Sequence, residues 1–149
     1  MPVRMRLSIL AALAAALLVL PGCTPAYRLT VEPSGPAITG QQAQSLAAST
    51  DISALASVGA TDAPAMRTAV LTQLRAQGAF GARAADLLTI GFPAKTASVP
   101  ALVRGCAVDG VDAVLVVEAW GSSGGMLVHR RLWVFDRAKG TVIRASSFR

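Results

Sequence analysis

From Ala113 to Phe148 the chain sets three apolar, strand-length segments between two short connections, and few folds accommodate that pattern. Ala113 to Trp120 is a valine-rich run, Gly121 to Gly125 is a loop of glycine and serine, and Met126 to Asp136 reads as a long strand. Arg137-Ala138-Lys139-Gly140 supplies a short turn with glycine where a positive φ is expected, and Thr141 to Phe148 returns as a final strand. Consecutive strands with short connections pair as antiparallel neighbours, so this part predicts a three-stranded meander. Strand alternation puts Val114, Val116, Met126, Val128, Leu132, Val134, Ile143 and Ala145 on one face. It puts Leu115, Val117, Leu127, His129, Arg131, Trp133, Phe135, Val142, Arg144 and Phe148 on the other. Both faces carry large apolar side chains, whereas a sheet with one wet side alternates cleanly. Either helices cover both faces, or one apolar face meets a partner.

Upstream, Tyr27 to Glu32 alternates apolar and polar residues as a half-buried strand does, and Pro33-Ser34-Gly35-Pro36 stops it. Ala37 to Ala60 is mostly small and polar, with a weak helical stretch near Gln41 to Ala48, and reads as tether or loosely packed structure. Thr61 and Asp62 suit a helix cap and Pro64 its first turn. Met66, Ala69, Val70 and Leu74 then recur at helical spacing, with Arg67 and Arg75 on the other side and Gly78 as a left-handed stop. Phe80 to Ile90 fits either period, and a strand is expected near Asp86 to Ile90, broken by Gly91-Phe92-Pro93. Ser98 and Pro100 open a second expected helix, with Leu102, Val103, Cys106 and Ala107 inward, ending near Asp109-Gly110. The whole predicts an α+β fold: a mixed sheet ending in a three-stranded antiparallel meander, with two or three helices packed on it.

The amino terminus carries a different signal. Met1 to Arg6 is basic, Leu7 to Leu20 is almost unbroken apolar sequence, and Leu20-Pro21-Gly22-Cys23 closes the run. A helix that spans a bilayer needs about 20 apolar residues, so the run has the length of an export signal instead. The segment resembles the bacterial lipoprotein signal. That resemblance implies that residues 1–22 are a discarded signal peptide and that Cys23 is the lipidated first residue of the mature protein. It also implies a diacylglycerol and usually a third chain, more than the single acyl chain that holds a protein only marginally. Thr24 after the cysteine resembles the outer-membrane sorting pattern, which implies an outer-membrane lipoprotein facing the periplasm, or the cell membrane in a host with one membrane. Two other readings stay open: an uncleaved short anchor, and ordinary signal cleavage after Ala26. On this reading residues 23–60 hold the lipidated cysteine, a first strand and a low-complexity tether, and residues 61–149 hold a small α/β domain.

Composition narrows the function classes. The formal net charge is +6; without Arg4 and Arg6, 12 basic residues face 8 acidic ones, a balance of +4. Such a balance would raise nucleic acid as a partner, but an exported lipoprotein does not meet its host's nucleic acid. Lipidation would consume one of two cysteines and leave Cys106 without an intramolecular partner, expected buried and inert. The sequence offers no CxxC pair and no Cys/His cluster for a metal, and no cofactor is expected. His129 is the single histidine, so a catalytic triad would have to be built on it. Glu118 and Asp136 are expected at opposite ends of a hairpin, meeting arginines rather than sharing acid–base work. Gly121 to Gly125 lacks the helix and the Lys-Ser/Thr pair of a phosphate cradle.

Gly110-Val111-Asp112-Ala113-Val114-Leu115-Val116-Val117, followed by Arg131 to Val142, resembles small envelope accessory domains. These are the TolB amino-terminal domain, the curli-export lipoprotein and the lipoprotein activators of penicillin-binding proteins; the likeness covers residues 97–149 and implies no catalytic residue. Three classes of function stand after this reading. The first is a non-enzymatic accessory or assembly lipoprotein that binds another envelope component, with self-association open. The second is a binding module for an anionic ligand, wall polymer or lipid headgroup, approached by Arg130 and Arg131. The third is an enzyme whose site the sequence does not display. The expected interaction surface joins Trp133 and Phe135 as anchors with Arg131, Arg144 and His129, with Arg144 near Trp133 across the final hairpin.

Overall fold

A computed structural model of the protein describes residues 27–93 and 95–149; Cys23 and the apolar run before it lie outside the described residues. The fold is α+β. Five strands, β1 (Thr30–Glu32), β2 (Ser98–Val108), β3 (Val111–Trp120), β4 (His129–Asp136) and β5 (Val142–Phe148), form one sheet in the order β1-β2-β3-β4-β5. β1 runs parallel to β2, and every later neighbour is antiparallel. The expected mixed sheet ending in a meander is therefore present, and β2 lengthens the meander to four strands.

β2 replaces the helix expected from Ser98 to Asp109. It is the second strand of the sheet and is covered on both faces, with Arg104 and Ala107 as its only half-exposed residues. A strand buried on both sides loses its alternation, and the pairs Leu102-Val103 and Cys106-Ala107 then mimic helical spacing. Pro100 lies beside an irregularity between Pro100 and Leu102, before pairing with β1 begins at Leu102, so it removes no bond from that ladder. Its carbonyl oxygen accepts the Tyr27 hydroxyl at 3.0 Å.

Three helices pack on the sheet: α1 (Gly40–Ser49), α2 (Ala63–Arg75) and α3 (Gly78–Ile90), with a 3-10 turn at Ser53–Leu55. α1 forms in the stretch read as tether. A capping box starts it: Gln42 N–H donates to Thr39 Oγ1 at 3.2 Å, and Thr39 N–H to Gln42 Oε1 at 2.8 Å. Ala43 and Ala47, one turn apart, then lie fully buried among Leu102, Cys106, Leu115, Val117, Leu132 and Val134. The low-complexity composition is thus the small-residue face that lets α1 approach the sheet closely. Residues 27–60 belong to the same core as residues 61–149.

α3 replaces the strand expected near Asp86 to Ile90. Gly78, at φ +81°, turns the chain out of α2 and straight into α3. At Gly81 an added Cβ would lie 2.1 Å from the Leu74 carbonyl oxygen, so the two helices touch where only glycine fits. Leu71 and Leu74 of α2 and Ala84, Leu87 and Leu88 of α3 bury Val103, Val114, Val116 and Phe135. Helices therefore lie on both faces of the sheet.

The face assignments change as well. β3 and β4 pair as Trp120↔His129, Val116↔Trp133 and Val114↔Phe135, so Val114 and Val116 share a face with Trp133 and Phe135, not with Leu132 and Val134. Met126 to Val128 continues the loop instead of starting the strand. The connection is longer than the five-residue loop expected, by an odd number of residues, and an odd slip turns every side chain to the other face. A second irregularity lies between Val134 and Phe135: Phe135 pairs with Val142, but Val134 pairs with Arg144 and Trp133 with Ala145. The extra residue, Ile143, moves Arg144 to the face opposite Trp133.

Candidate interaction surface

The strand register gives the sheet two unlike ends. The proximal end holds Tyr27, Ser98, Trp120, His129 and Phe148; the distal end holds the turns at Asp109-Gly110 and Arg137 to Gly140. On the face shared by α2 and α3, the helices cover Val114, Val116 and Phe135. Toward the proximal end, Trp120, His129, Arg131 and Trp133 are only half-buried, and Ala145 and Ser147 of β5 beside them are exposed. Three of the five residues expected at an interaction surface, Trp133, Arg131 and His129, meet here.

They form a ladder of rings and cations. The His129 and Trp120 rings lie 5.0 Å apart, and the Arg131 guanidinium sits 4.7 Å from the Trp120 ring and 5.7 Å from that of Trp133. Trp133 meets the edge of Phe92 at 5.2 Å, and Phe92 in turn lies 4.7 Å from the Arg67 guanidinium. Stacked guanidinium faces keep their N–H edge free, and that edge is the part that grips carboxylate or phosphate oxygens.

Two expected members are elsewhere. Phe135 is 2 % exposed beneath α3, a core residue and no anchor. Arg144 lies on the α1 face, where its guanidinium donates to Asp109 Oδ2 at 3.3 Å while Gly40 N–H donates to Asp109 Oδ1 at 2.9 Å. It lies across from Val134, not Trp133.

Beneath the ladder is a buried polar network: Glu118 meets an arginine, as the sequence reading expected, but that this partner is Arg67 of α2 and that the pair is buried were missed. Glu118, fully buried, pairs with Arg67. Its Oε2 also accepts Ser98 Oγ at 3.1 Å and Trp133 Nε1 at 3.0 Å. Arg67 further donates to the carbonyl and hydroxyl oxygens of Ser98, at 3.2 and 3.1 Å, and to the Leu88 carbonyl at 3.0 Å. The signal was available: Ala63, Arg67, Val70, Leu71 and Leu74 recur at helical spacing, and all are buried. Charge alone had placed Arg67 on the wet side. Both Glu118 oxygens are occupied within the protein, and Asp136, at the far end of the β3–β4 ladder, accepts Ala138 and Lys139 N–H instead. The two carboxylates do not act on a common site.

A cavity of about 570 Å³ opens at the same end, lined by Ala60, Thr61, Pro64, Lys95, Ala97, Ser123 and Gly124. Its walls are braced by the 121–128 connection, through Ala60 N–H to Gly125 O at 2.8 Å and Leu127 N–H to Val58 O at 3.0 Å. Cys106 is buried and free, and burial pushes its thiol up, away from the reactive thiolate. Among the described residues no group of three His, Cys, Asp or Glu side chains is placed to hold a metal, and no helix is long and apolar enough to cross a membrane. No protein-family model matches the chain, and neither does any curated protein or solved structure with which it was compared.

Proposed function

We propose that this protein is a membrane-anchored lipoprotein that works by binding, as an accessory or assembly factor for another component of the cell envelope. Cys23 after Leu20-Pro21-Gly22 supplies the anchor, at the outer membrane facing the periplasm. The observation that carries the binding role is Arg131, held between Trp120 and Trp133 on a part of the sheet that stays half-exposed. Aromatics and arginines of this kind make the centres of interfaces. A second reading, a module for an anionic envelope ligand, is favoured by the same guanidinium, which has no carboxylate within 4.0 Å among the described residues.

Three substitutions test the proposal. Cys23→Ala should abolish acyl labelling and leave an unprocessed or soluble exported form; a variant still cleaved there and still membrane-bound removes the anchor. Trp133→Ala separates surface from core. Trp133 packs on Phe92 and bonds Glu118 but stays half-exposed, so its loss should cost about 2–3 kcal/mol, below the ~3–5 of a fully buried tryptophan. Arg131→Gln, which keeps a neutral polar side chain opposite Glu118, should move the melting temperature far less than Trp133→Ala while abolishing capture of the envelope component by a photo-crosslinker placed at Ser147. Capture unchanged in Arg131→Gln would take the ladder out of the function.

A further inference from the structure

We infer that the component this face takes is the anionic headgroup layer of the membrane that holds Cys23, so that the domain stands with its proximal end on the lipid. The inference rests on the proposed anchor at Cys23 and names the partner of the same surface. Three observations converge on it.

The first is chain length. Tyr27 is fixed to the sheet by its hydroxyl bond to Pro100, and only four residue steps separate it from Cys23. Fully extended, four steps reach about 14 Å. An acylated Cys23 therefore cannot release the domain from the bilayer surface, and the end of the domain that meets the bilayer is the proximal one.

The second is the distribution of charge. Four ion pairs occupy the distal half: Arg104 with Glu32, Arg137 with Asp112, Lys139 with Asp136, and Arg144 with Asp109. Arg75 pairs with Asp86 between α2 and α3, and Arg67 with Glu118 inside the core. The proximal cations Arg28, Lys95, Arg130 and Arg131 take no part in any ion pair among the described residues, whereas at the distal turn only Arg83 lacks one and donates to the Arg137 and Ala138 carbonyls instead. Two exposed carboxylates share that end, Asp51 and Asp62. Asp51 already accepts Ser53 N–H at 2.8 Å, and that bond, more than the nearby Arg130, holds its carboxyl below the usual range. Positive charge thus accumulates where the tether arrives, which is the arrangement that draws a domain onto an anionic surface.

The third is the company these cations keep. Half-buried Trp120 and Trp133 stand beside Arg131, and Met126 and Val128 of the neighbouring loop are half or more exposed. Amphipathic indoles, basic side chains and exposed aliphatic groups together match the boundary between headgroups and acyl chains, where each finds its own layer. A wall polymer would use the cations but leave Met126 and Val128 without a partner.

The protein carries two tryptophans, and both lie in this face, so intrinsic emission reports on it alone. The acylated mature protein is reconstituted into vesicles of phosphatidylcholine, or into vesicles with about one-third phosphatidylglycerol, each with and without brominated phosphatidylcholine. Mass analysis of the Cys23 peptide is run on the same sample. The expected result is an acylated Cys23, an emission shifted to shorter wavelength, and quenching about twofold or more stronger in the anionic vesicles, falling as salt screens the surface. The exposed pair of substitutions Arg28→Ser and Lys95→Ser, far from the core, should reduce that quenching without moving the thermal midpoint. Acylated Cys23 with equal emission in both vesicle types overturns the inference and leaves the proposed anchor standing. Unmodified Cys23 overturns both. An emission change driven by soluble anionic wall polysaccharide in neutral vesicles assigns the face to that polymer. One that follows protein density, not lipid charge, assigns it to a second copy.

Discussion

The distal and proximal ends of the sheet handle charge in opposite ways. At the distal end, Arg144 and Asp109, or Arg137 and Asp112, meet across turns at the surface, where water screens both partners. Among the described residues the one ion pair of the proximal end, Arg67 with Glu118, lies wholly inside, while the surrounding cations stay single. An exposed pair gives little because solvation already satisfied each ion, whereas a buried pair must replace water with protein donors one for one. Glu118 does so with Arg67, Ser98 and Trp133. The difference teaches that losing one partner costs most under the proximal ladder and least among the solvent-screened distal pairs.

The sharpest way to break this comparison is Glu118→Ala. It strands the Arg67 guanidinium in the core and should cost about 3–5 kcal/mol in chemical denaturation, enough to unfold a domain of this size under mild conditions. The double substitution Arg67→Met with Glu118→Leu should recover most of that loss, because an apolar pair of similar volume removes both desolvation costs. A cost for Glu118→Ala no larger than that of a distal pair would erase the contrast.

Cys106→Ser is next. It puts a hydroxyl where a buried thiol packs among Leu102, Val108 and Leu115, and should cost about 1–3 kcal/mol with binding retained. A disulfide-linked dimer of the native protein on non-reducing gels would contradict the buried position.

Phenolate absorbance at alkaline pH probes the proximal end alone. Burial pushes the Tyr27 phenol up to about 12, from an ordinary value near 10. A folded-state value above the unfolded one gives stability that is complete below pH 10 and is lost as pH rises through 12. Tyr27 is the only tyrosine, so phenolate absorbance follows it directly. The native protein should titrate late, and its thermal midpoint should fall more steeply above pH 10 than that of Tyr27→Phe. Ionisation at the free phenol value would detach Tyr27 from Pro100. The smallest effect belongs to the distal end: Asp109→Asn should lower stability by under about 1 kcal/mol, read from denaturant midpoints at low and high salt.

The sequence was legible where one face of an element is wet. β1, α2 and the three strands from Ala113 onward each announce themselves by a period or a cap, whereas α1 shows only a weak helical stretch in sequence that reads equally as tether. It was illegible where burial is complete or where a backbone irregularity intervenes. β2 is covered on both faces and imitates a helix. α3, built on Gly78, Gly81 and alanines, carries little amphipathic contrast, and its start is hidden in a glycine that equally ends α2. The interaction surface was half legible for the same reason. Trp133, Arg131 and His129 alternate along one strand and stay together whatever its register, whereas Trp120 and Arg144 depend on an odd loop and on one extra residue at Ile143. Phe135 has the right parity, and only the position of α3 shows that it is covered.

The strand order also sets a sequence of events in time. β2 to β5 pair with neighbours in the chain, across connections of a few residues, so those ladders close at small entropic cost. β1 must wait: Thr30 pairs with Leu102, and every residue between them has to be made and gathered before that parallel pairing exists. With the proposed acyl anchor at Cys23, the segment attached to lipid is thus the last to find its place. On that proposal the meander and its helices would assemble first, on a slack leash, and the docking of β1 would be the step that draws the finished domain down onto the surface.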